Sequence, residues 1–338
     1  MKSACIRVLS ALCFLLIFSA CGDNNNQNTT QSHPAFQLPE VQAMTSRINK
    51  DPQNARLWFQ RGLVLQQLRH DTLALNDFKK AVSLDSTKAE YFSAIGDLMF
   101  EHQDIDGSVA WIEKAVKLNP DDPTARLKIA KMMIFMKDYP KAFSEINTVL
   151  RQNAMVPEGY FLKGIIYKEL KDTAKAISSF QTAVQVDPDY RDAIIQLGTI
   201  HSSKKDPIAL QYFNNAFRLD TTDVFPLYAR GMYYQQLGEY EKAKEEYRKS
   251  IHYNSDYINS FFATGWILLQ QDSLEKAWRQ FDIVTKLEPT DAEAYYNRGL
   301  ASELMGKTQD ALADYKQAVI FDETYKEAQE GVRRLSGK

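Results

Sequence analysis

The chain has 338 residues, of which 44% are hydrophobic and 25% are charged, and its formal net charge at pH 7 is −2. This length allows a large buried core, and the near-neutral balance argues against a nucleic-acid partner, which would require a clustered basic face. All three cysteines lie within the first 21 residues, so no disulfide or zinc framework is predicted for the body of the chain.

The first twenty residues have the pattern of a secretory signal peptide. Two basic residues precede an apolar run, Val8 to Phe18, which is too short to span a bilayer as a helix. A small pair, Ser19-Ala20, then precedes Cys21. Residues 1–20 are therefore predicted to be removed on export.

The segment ending at Cys21 resembles the lipobox of bacterial lipoproteins. The resemblance implies that Cys21 becomes the first mature residue and carries diacylglycerol and an acyl chain, the one non-protein group expected here. Such a lipid would anchor the chain firmly to a membrane, because each buried methylene contributes about 0.8 kcal/mol to the free energy of membrane binding. A plain secretion signal, or an uncleaved N-terminal anchor with an incidental cysteine, is the alternative interpretation.

Residues 21–37 are polar and predict a flexible tether, with a root-mean-square reach of about 20 Å. Gly22 follows the cysteine, and Asp23 comes one place later. In the sorting logic of bacterial lipoproteins, an Asp directly after the cysteine retains the protein in the inner membrane. The resemblance therefore implies an outer-membrane lipoprotein, expected at the periplasmic face.

The rest of the chain repeats with a period of 34 residues, apart from one interval of 33. The small residue that recurs is Gly62, Gly96, Ala130, Gly164, Gly198, Gly231, Gly265 or Gly299. Further along each repeat stands a large residue: Phe78, Ile112, Ile146, Phe180, Phe213, Tyr247, Phe281 or Tyr315. Helical spacing on both sides of a break predicts an αα-hairpin in which the large side chain packs against the small residue. The one-residue deletion is predicted within residues 201–207.

This pattern resembles the tetratricopeptide repeat, W-x2-L-G-x2-Y followed by A-x3-F and Pro. The resemblance covers residues 55–325 as eight repeats and implies an all-α fold, a right-handed superhelical solenoid. Residues 38–54 are interpreted as the helix of a preceding half-repeat, and residues 326–338 as a C-terminal capping helix.

Motifs for catalysis or metal binding are not found in the sequence. The five histidines share no helical face, and no phosphate loop or nucleophile elbow is present. The chain is therefore expected to be non-enzymatic. Three triplets, at residues 71–73, 172–174 and 272–274, resemble a short periplasmic O-glycosylation motif, although helix N-caps explain the same residues.

One face of the first helix in each repeat is left without a packing role. The residue after the aromatic core position, and the residue four further on, are rotated toward the concave side of the solenoid. The predicted ligand-binding groove is lined by Phe59, Leu63, Phe161, Ile165, Tyr228, Met232, Phe262, Trp266, Tyr296 and Leu300. An apolar patch of this kind predicts a binding surface. The alternative is that curvature or the capping helix covers these side chains and makes them core.

The resemblance implies an adaptor or scaffold that holds a protein or peptide partner for the assembly of an envelope complex. The polar clamp of chaperone-binding members is missing, since Phe59, Leu63 and Ala94 stand at its places. Two alternatives stay open, namely self-assembly through the capping helix and glycan binding by the groove. The polar neighbours that a glycan could use are Gln235, Gln236, Asn259, Gln270 and Glu303.

Overall fold

The computed structural model describes residues 33–337, which form helices and turns without a β-strand. Residues 34–37 form a short 3-10 helix, and eighteen α-helices follow it in the described part. They are α1 Pro39–Lys50, α2 Ala55–Gln67, α3 Asp71–Leu84, α4 Ala89–Glu101, α5 Ile105–Leu118, α6 Pro123–Phe135, α7 Tyr139–Gln152, α8 Pro157–Glu169, α9 Thr173–Val186, α10 Arg191–Ser203, α11 Ile208–Leu219, α12 Phe225–Gln236, α13 Tyr240–Tyr253, α14 Ile258–Gln270, α15 Leu274–Leu287, α16 Ala292–Leu304, α17 Thr308–Phe321 and α18 Lys326–Ser336.

The helices belong to two compact units, Met1–Ala125 and Arg126–Lys338. In the first unit α1 packs on α2, and the hairpins are α2–α3 and α4–α5. In the second unit the hairpins run from α8–α9 to α16–α17, and α18 packs on α17. Each unit is an all-α solenoid, in which each hairpin packs on its neighbours in sequence. The predicted all-α solenoid fold is thus confirmed.

The predicted fit of a large side chain against a small residue is also confirmed. The ring of Phe180 is fully buried, and a Cβ atom added to Gly164 would lie 2.5 Å from it. The same close approach to the large residue of the second helix is found at Gly62, Gly96, Gly198, Gly231, Gly265 and Gly299. This contact explains why glycine is kept inside a helix, where it costs about 1 kcal/mol relative to alanine.

The predicted tether ends earlier than residue 37. Ala35 is 1% exposed and packs in one cluster with Val41 and Leu65, and the Phe36 ring lies 5.0 Å from the Arg61 guanidinium carbon. The prediction of a tether over 21–37 is therefore wrong for residues 34–37, which cover the apolar surface of the first hairpin. Residues 1–32, with the predicted signal peptide and Cys21, lie outside the described residues. None of the helices within residues 33–337 is long and apolar enough to cross a membrane.

The one-residue deletion lies where the sequence places it, between α10 and α11. The Asp206 carboxylate accepts a hydrogen bond from the Ile208 N–H at 3.1 Å and lies 2.8 Å from His201 Nδ1. In the fourth repeat the equivalent Asp172 precedes the small Ala176 by four residues, whereas here the separation is three. The second helix therefore begins later, and its first turn is shortened.

Among the three Asp-containing triplets, capping with a side-chain hydrogen bond is found at Asp172, whose side chain accepts from the Lys175 N–H at 3.1 Å. Asp71 lies inside α3 and pairs with His102 Nε2 at 3.1 Å. Asp272 adopts a left-handed backbone with φ 55°, and Ser273 takes the N-cap place without a side-chain hydrogen bond. The triplet at 272–274 thus supplies the N-cap residue as predicted, through Ser273. For the triplet at 71–73 the capping interpretation is wrong, because His70 takes the N-cap place.

Candidate functional site

The ten residues predicted to line the groove lie on the first helices of repeats one, four, six, seven and eight. Two of them lie in the first unit and eight in the second, and we call those of each unit its first-helix face. Each pair, such as Phe262 and Trp266 on α14, has i, i+4 spacing and therefore shares one side of its helix. Leu63 is 42% exposed and Trp266 is 36% exposed, while the other eight are half-buried. Their role in binding stays a prediction.

Rings from three helices support this face in the second unit. Phe161 packs on Phe180 of the second helix at 5.7 Å between ring centroids, and on Tyr190 at the start of the next first helix at 5.5 Å. We call such a set an aromatic triad. The triads are Phe161–Phe180–Tyr190, Tyr228–Tyr247–Tyr257 and Tyr296–Tyr315–Tyr325. In each triad the ring of the first-helix residue packs against the other two rings, and this packing restricts its orientation.

The third ring of each triad is missing from the sequence-based site. Tyr190, Tyr257 and Tyr325 are the N-cap residues of their helices. They recur at every second repeat and alternate with Asp223 and Asp291 in the 34-residue register. That alternation is the signal that could have found them.

Burial alters the acidity of the triad tyrosines. Burial raises the pKa of Tyr190 to about 12, and the nearby Glu158 carboxylate adds to the shift. The pKa values of Tyr247, Tyr315 and Tyr325 are also raised, first by burial and then by a neighbouring group, which is Tyr228 for Tyr247, Glu303 for Tyr315 and Glu293 for Tyr325. The ionised phenolate is disfavoured in these positions because the rings have lost much of their hydration.

We therefore expect alkaline pH to unfold the second unit as its tyrosines ionise. A tyrosine with a raised folded-state pKa contributes its full stabilisation below pH 10 and loses it as the pH rises toward 12. Phenolate absorbance near 295 nm should rise together with the loss of helical circular dichroism. The variant Tyr190→Phe should unfold at a higher pH, and complete ionisation with unchanged dichroism would contradict the expectation.

Ion pairs connect the two helices of several repeats on the side away from the first-helix face. Arg61 Nε lies 2.7 Å from Asp77 Oδ2, and Arg298 Nη2 lies 2.6 Å from Asp314 Oδ1. Both pairs have little solvent access, with side-chain exposures of 9% and 6% in the first pair. They fix the angle between first and second helix and so position the groove residues.

Two of the polar neighbours considered for glycan binding already have internal partners. The Tyr247 hydroxyl donates to Gln235 Oε1 at 2.7 Å, and the Tyr315 hydroxyl donates to Glu303 Oε2 at 2.7 Å. Glu303 also accepts from the Arg334 guanidinium at 3.0 and 2.7 Å. These groups are occupied in orienting the triads, which leaves fewer of them for a sugar. Among the described residues, no group of three or more metal-binding side chains is found.

An open depression of about 590 Å³ adjoins the first-helix face in the first unit. Phe59 and Tyr91 form its apolar side, with ring centroids 4.7 Å apart, and Leu63 lies at its edge. Arg56 and Lys88 are among its polar lining residues. Here too the first residue of the pair is packed while the second is left exposed.

Comparison with models of known protein families identifies the repeat. Models described as "Tetratricopeptide repeat" match residues 55–88, 157–190, 224–257 and 292–325. The chain is a tetratricopeptide repeat protein. The four matched segments are repeats one, four, six and eight, and each places an aromatic residue on the first-helix face. Tetratricopeptide repeats support a role as a scaffold for protein interaction.

Relatives share the repeat at low sequence identity. A TPR repeat-containing protein of Methanocaldococcus jannaschii is 24% identical over 296 residues, which is 80% of this chain and 51% of that protein. The chain thus spans about half the length of this relative, and 14% and 29% of the next two.

Solved structures show the same fold. The C-terminal part of a TPR repeat-containing protein from Cytophaga hutchinsonii is 21% identical, covers 70% of this chain and 98% of its own, and has a TM-score of 0.55. A tetratricopeptide repeat protein from Parabacteroides merdae is 14% identical, covers 74% and 99%, and has a TM-score of 0.52.

Proposed function

We propose that this tetratricopeptide repeat protein is a non-enzymatic adaptor that binds a segment of a partner protein on its first-helix face. The observation that carries the proposal is the pairing of held rings with exposed apolar side chains, seen at Phe59 with Leu63 and at Phe262 with Trp266. A rigid aromatic support with exposed anchors is the arrangement that lets a few residues dominate an interface.

We further propose that the adaptor is a lipoprotein at the periplasmic face of the outer membrane, where it serves the assembly of an envelope complex. Support comes from the sequence, in which a short apolar run and two small residues precede Cys21. The lipid would hold the protein at the membrane, and the repeats would select the partner protein. Metabolic labelling with radioactive palmitate should mark the protein, and Cys21→Ser should abolish both labelling and recovery in the membrane fraction. An unlabelled wild-type chain would exclude the anchor.

The binding role is tested by crosslinking capture from native envelopes. The variant Trp266→Ala/Leu63→Ala removes exposed anchors without truncating a buried ring, so the fold should be kept. We expect at least a tenfold loss of the captured partner, equivalent to about 1.4 kcal/mol. The control is Ile320→Ala, which removes a more exposed apolar side chain (67%) from the second helix α17. Equal capture by all three proteins would contradict a groove on the first-helix face.

A glycan is the competing ligand, since the exposed Trp266 ring could stack on a sugar. A peptide should depend mainly on apolar contact area, whereas a sugar should also require the amides of Gln236 and Gln270. Peptidoglycan fragments are therefore included as competitors in the capture. Loss of the partner on their addition would favour the glycan.

A further inference from the structure

Two carboxylates beside the last aromatic triad have no cation of their own. Glu293 on α16 and Glu327 on α18 occupy the same place in consecutive units of the 34-residue register, and both are exposed. Both lie close enough to the Tyr325 phenol to contribute to its raised pKa, as does Asp291. Neither carboxylate of this pair forms an ion pair within residues 33–337.

The rings at this place are ordered and carry little competing positive charge. Tyr296 and Tyr325 have centroids 5.0 Å apart at an angle of 45°. The nearby Arg334 is held by Glu303 through two hydrogen bonds, so its charge is already compensated. The local field is therefore negative beside two aromatic rings, a combination that attracts cations.

The fourth repeat shows how a lysine fits the same position. Glu158 stands at the place of Glu293 and Tyr190 at the place of Tyr325 in the register. There the Lys131 ammonium lies 2.5 Å from Glu158 Oε1. Lys131 comes from the groove position of the third repeat, and in the seventh repeat, which precedes the eighth, that position is occupied by Trp266. The eighth repeat thus keeps the carboxylate and the rings of this arrangement but lacks the lysine.

We infer that the surface formed by Glu293, Glu327 and Tyr325, beside the first-helix face of the second unit, receives a lysine or arginine side chain from the partner segment. This inference rests on the proposed function and names the partner's chemistry, a basic residue flanked by apolar residues that continue along Trp266 and Leu300. The Asp291 carboxylate lies at the same helix start and accepts a hydrogen bond from the Glu293 N–H at 2.9 Å, so a bound ammonium group would relieve repulsion between neighbouring negative charges.

The test uses the purified full chain and fluorescein-labelled peptides in which leucines flank two lysines. Matched peptides carry glutamine or glutamate in place of lysine. We expect the lysine peptide to bind at least tenfold more tightly than the glutamate peptide at low salt, with a difference that shrinks as salt is added. Equal affinity for all three peptides would overturn the inference.

Variants distinguish a defined site from the overall acidity of the chain. Glu293→Gln/Glu327→Gln should weaken the lysine peptide about five- to tenfold while leaving the glutamine peptide unchanged. The control Glu275→Gln/Glu288→Gln removes the same charge from α15 and from the residue after it, and should change neither affinity. Tyr325→Phe should retain binding and Tyr325→Leu should lose part of it. Equal effects of the two charge variants would show attraction to net charge alone and would refute the site.

The outcome is separable from that of the proposed function. If Trp266→Ala/Leu63→Ala loses the envelope partner while Glu293→Gln/Glu327→Gln retains it, the adaptor role stands and the basic anchor is excluded. If the charge variant alone loses the partner, the basic anchor is supported and the apolar groove is not.

Discussion

Truncation of Phe180 to alanine is expected to lower the free energy of unfolding of the second unit by about 3–5 kcal/mol. The ring is fully buried, lies against Gly164, and belongs to the cluster of Ala176 and Leu197. It is also the middle ring of the first triad, so its loss leaves Phe161 with one ring contact fewer. Urea denaturation followed by circular dichroism measures the change.

The loss should be local, because repeats in a solenoid contact mainly their neighbours. Amide hydrogen exchange should accelerate in α8 to α11 and change little in α16 and α17. Gly164→Ala supplies the matched test from the opposite side of the contact, and should cost about 1–3 kcal/mol by overpacking. The double variant Gly164→Ala/Phe180→Leu should lose less free energy of unfolding than the sum of the losses in the two single variants. A destabilisation below about 1 kcal/mol for Phe180→Ala would mean that the ring is not packed as described.

Replacement of Asp77 by alanine is expected to cost the first unit about 3–5 kcal/mol, because it leaves the Arg61 guanidinium buried without its counter-ion. Arg61 makes two hydrogen bonds to Asp77, at 2.7 and 2.8 Å, and a third to Thr45 Oγ1 at 3.1 Å. It also lies over the Phe36 ring. The same variant should therefore expose residues 34–37 to limited proteolysis.

The double replacement Arg61→Met/Asp77→Leu removes both charges, so it measures the net contribution of the ion pair to the free energy of unfolding without leaving an unpaired charge. A well-packed apolar pair should restore most of the stability. The exposed pair Arg279–Glu275 is the control, since its side chains are 67% and 72% accessible and Arg279→Ala should cost less than about 1 kcal/mol. Similar losses for Asp77→Ala and Arg279→Ala would show that burial of the first pair has no energetic consequence.

The repeat made most of the hairpin architecture predictable. The contact between Gly164 and Phe180 follows from residue spacing alone, because both helices of a hairpin are close in sequence and the same small-large pattern recurs in the other repeats. The position of Trp266 on the first-helix face follows equally from the 100° rotation per residue. Local periodicity is sufficient for both.

Contacts that depend on the packing of successive repeats were harder to foresee. Tyr190 and Tyr325 lie outside the predicted groove positions, and only the packing of the next helix brings their rings against the preceding repeat. Phe36 was assigned to the tether because its neighbours are polar, and its place over Arg61 depends on the tertiary fold.

The alternation of tyrosine with aspartate at the start of successive first helices has a consequence for how such a chain can change in length. Excising or duplicating one repeat would bring two like members of the series together and break the sequence of ring contacts, even though every hairpin could still stack. A pair of repeats can be inserted or removed with the alternation intact. The ring contacts therefore repeat every two hairpins, whereas the fold repeats every hairpin. Chimeras joined at Tyr190, Tyr257 or Tyr325 should keep the alternation and its ring contacts. Chimeras joined at Asp223 should lose them if the incoming segment also begins with aspartate.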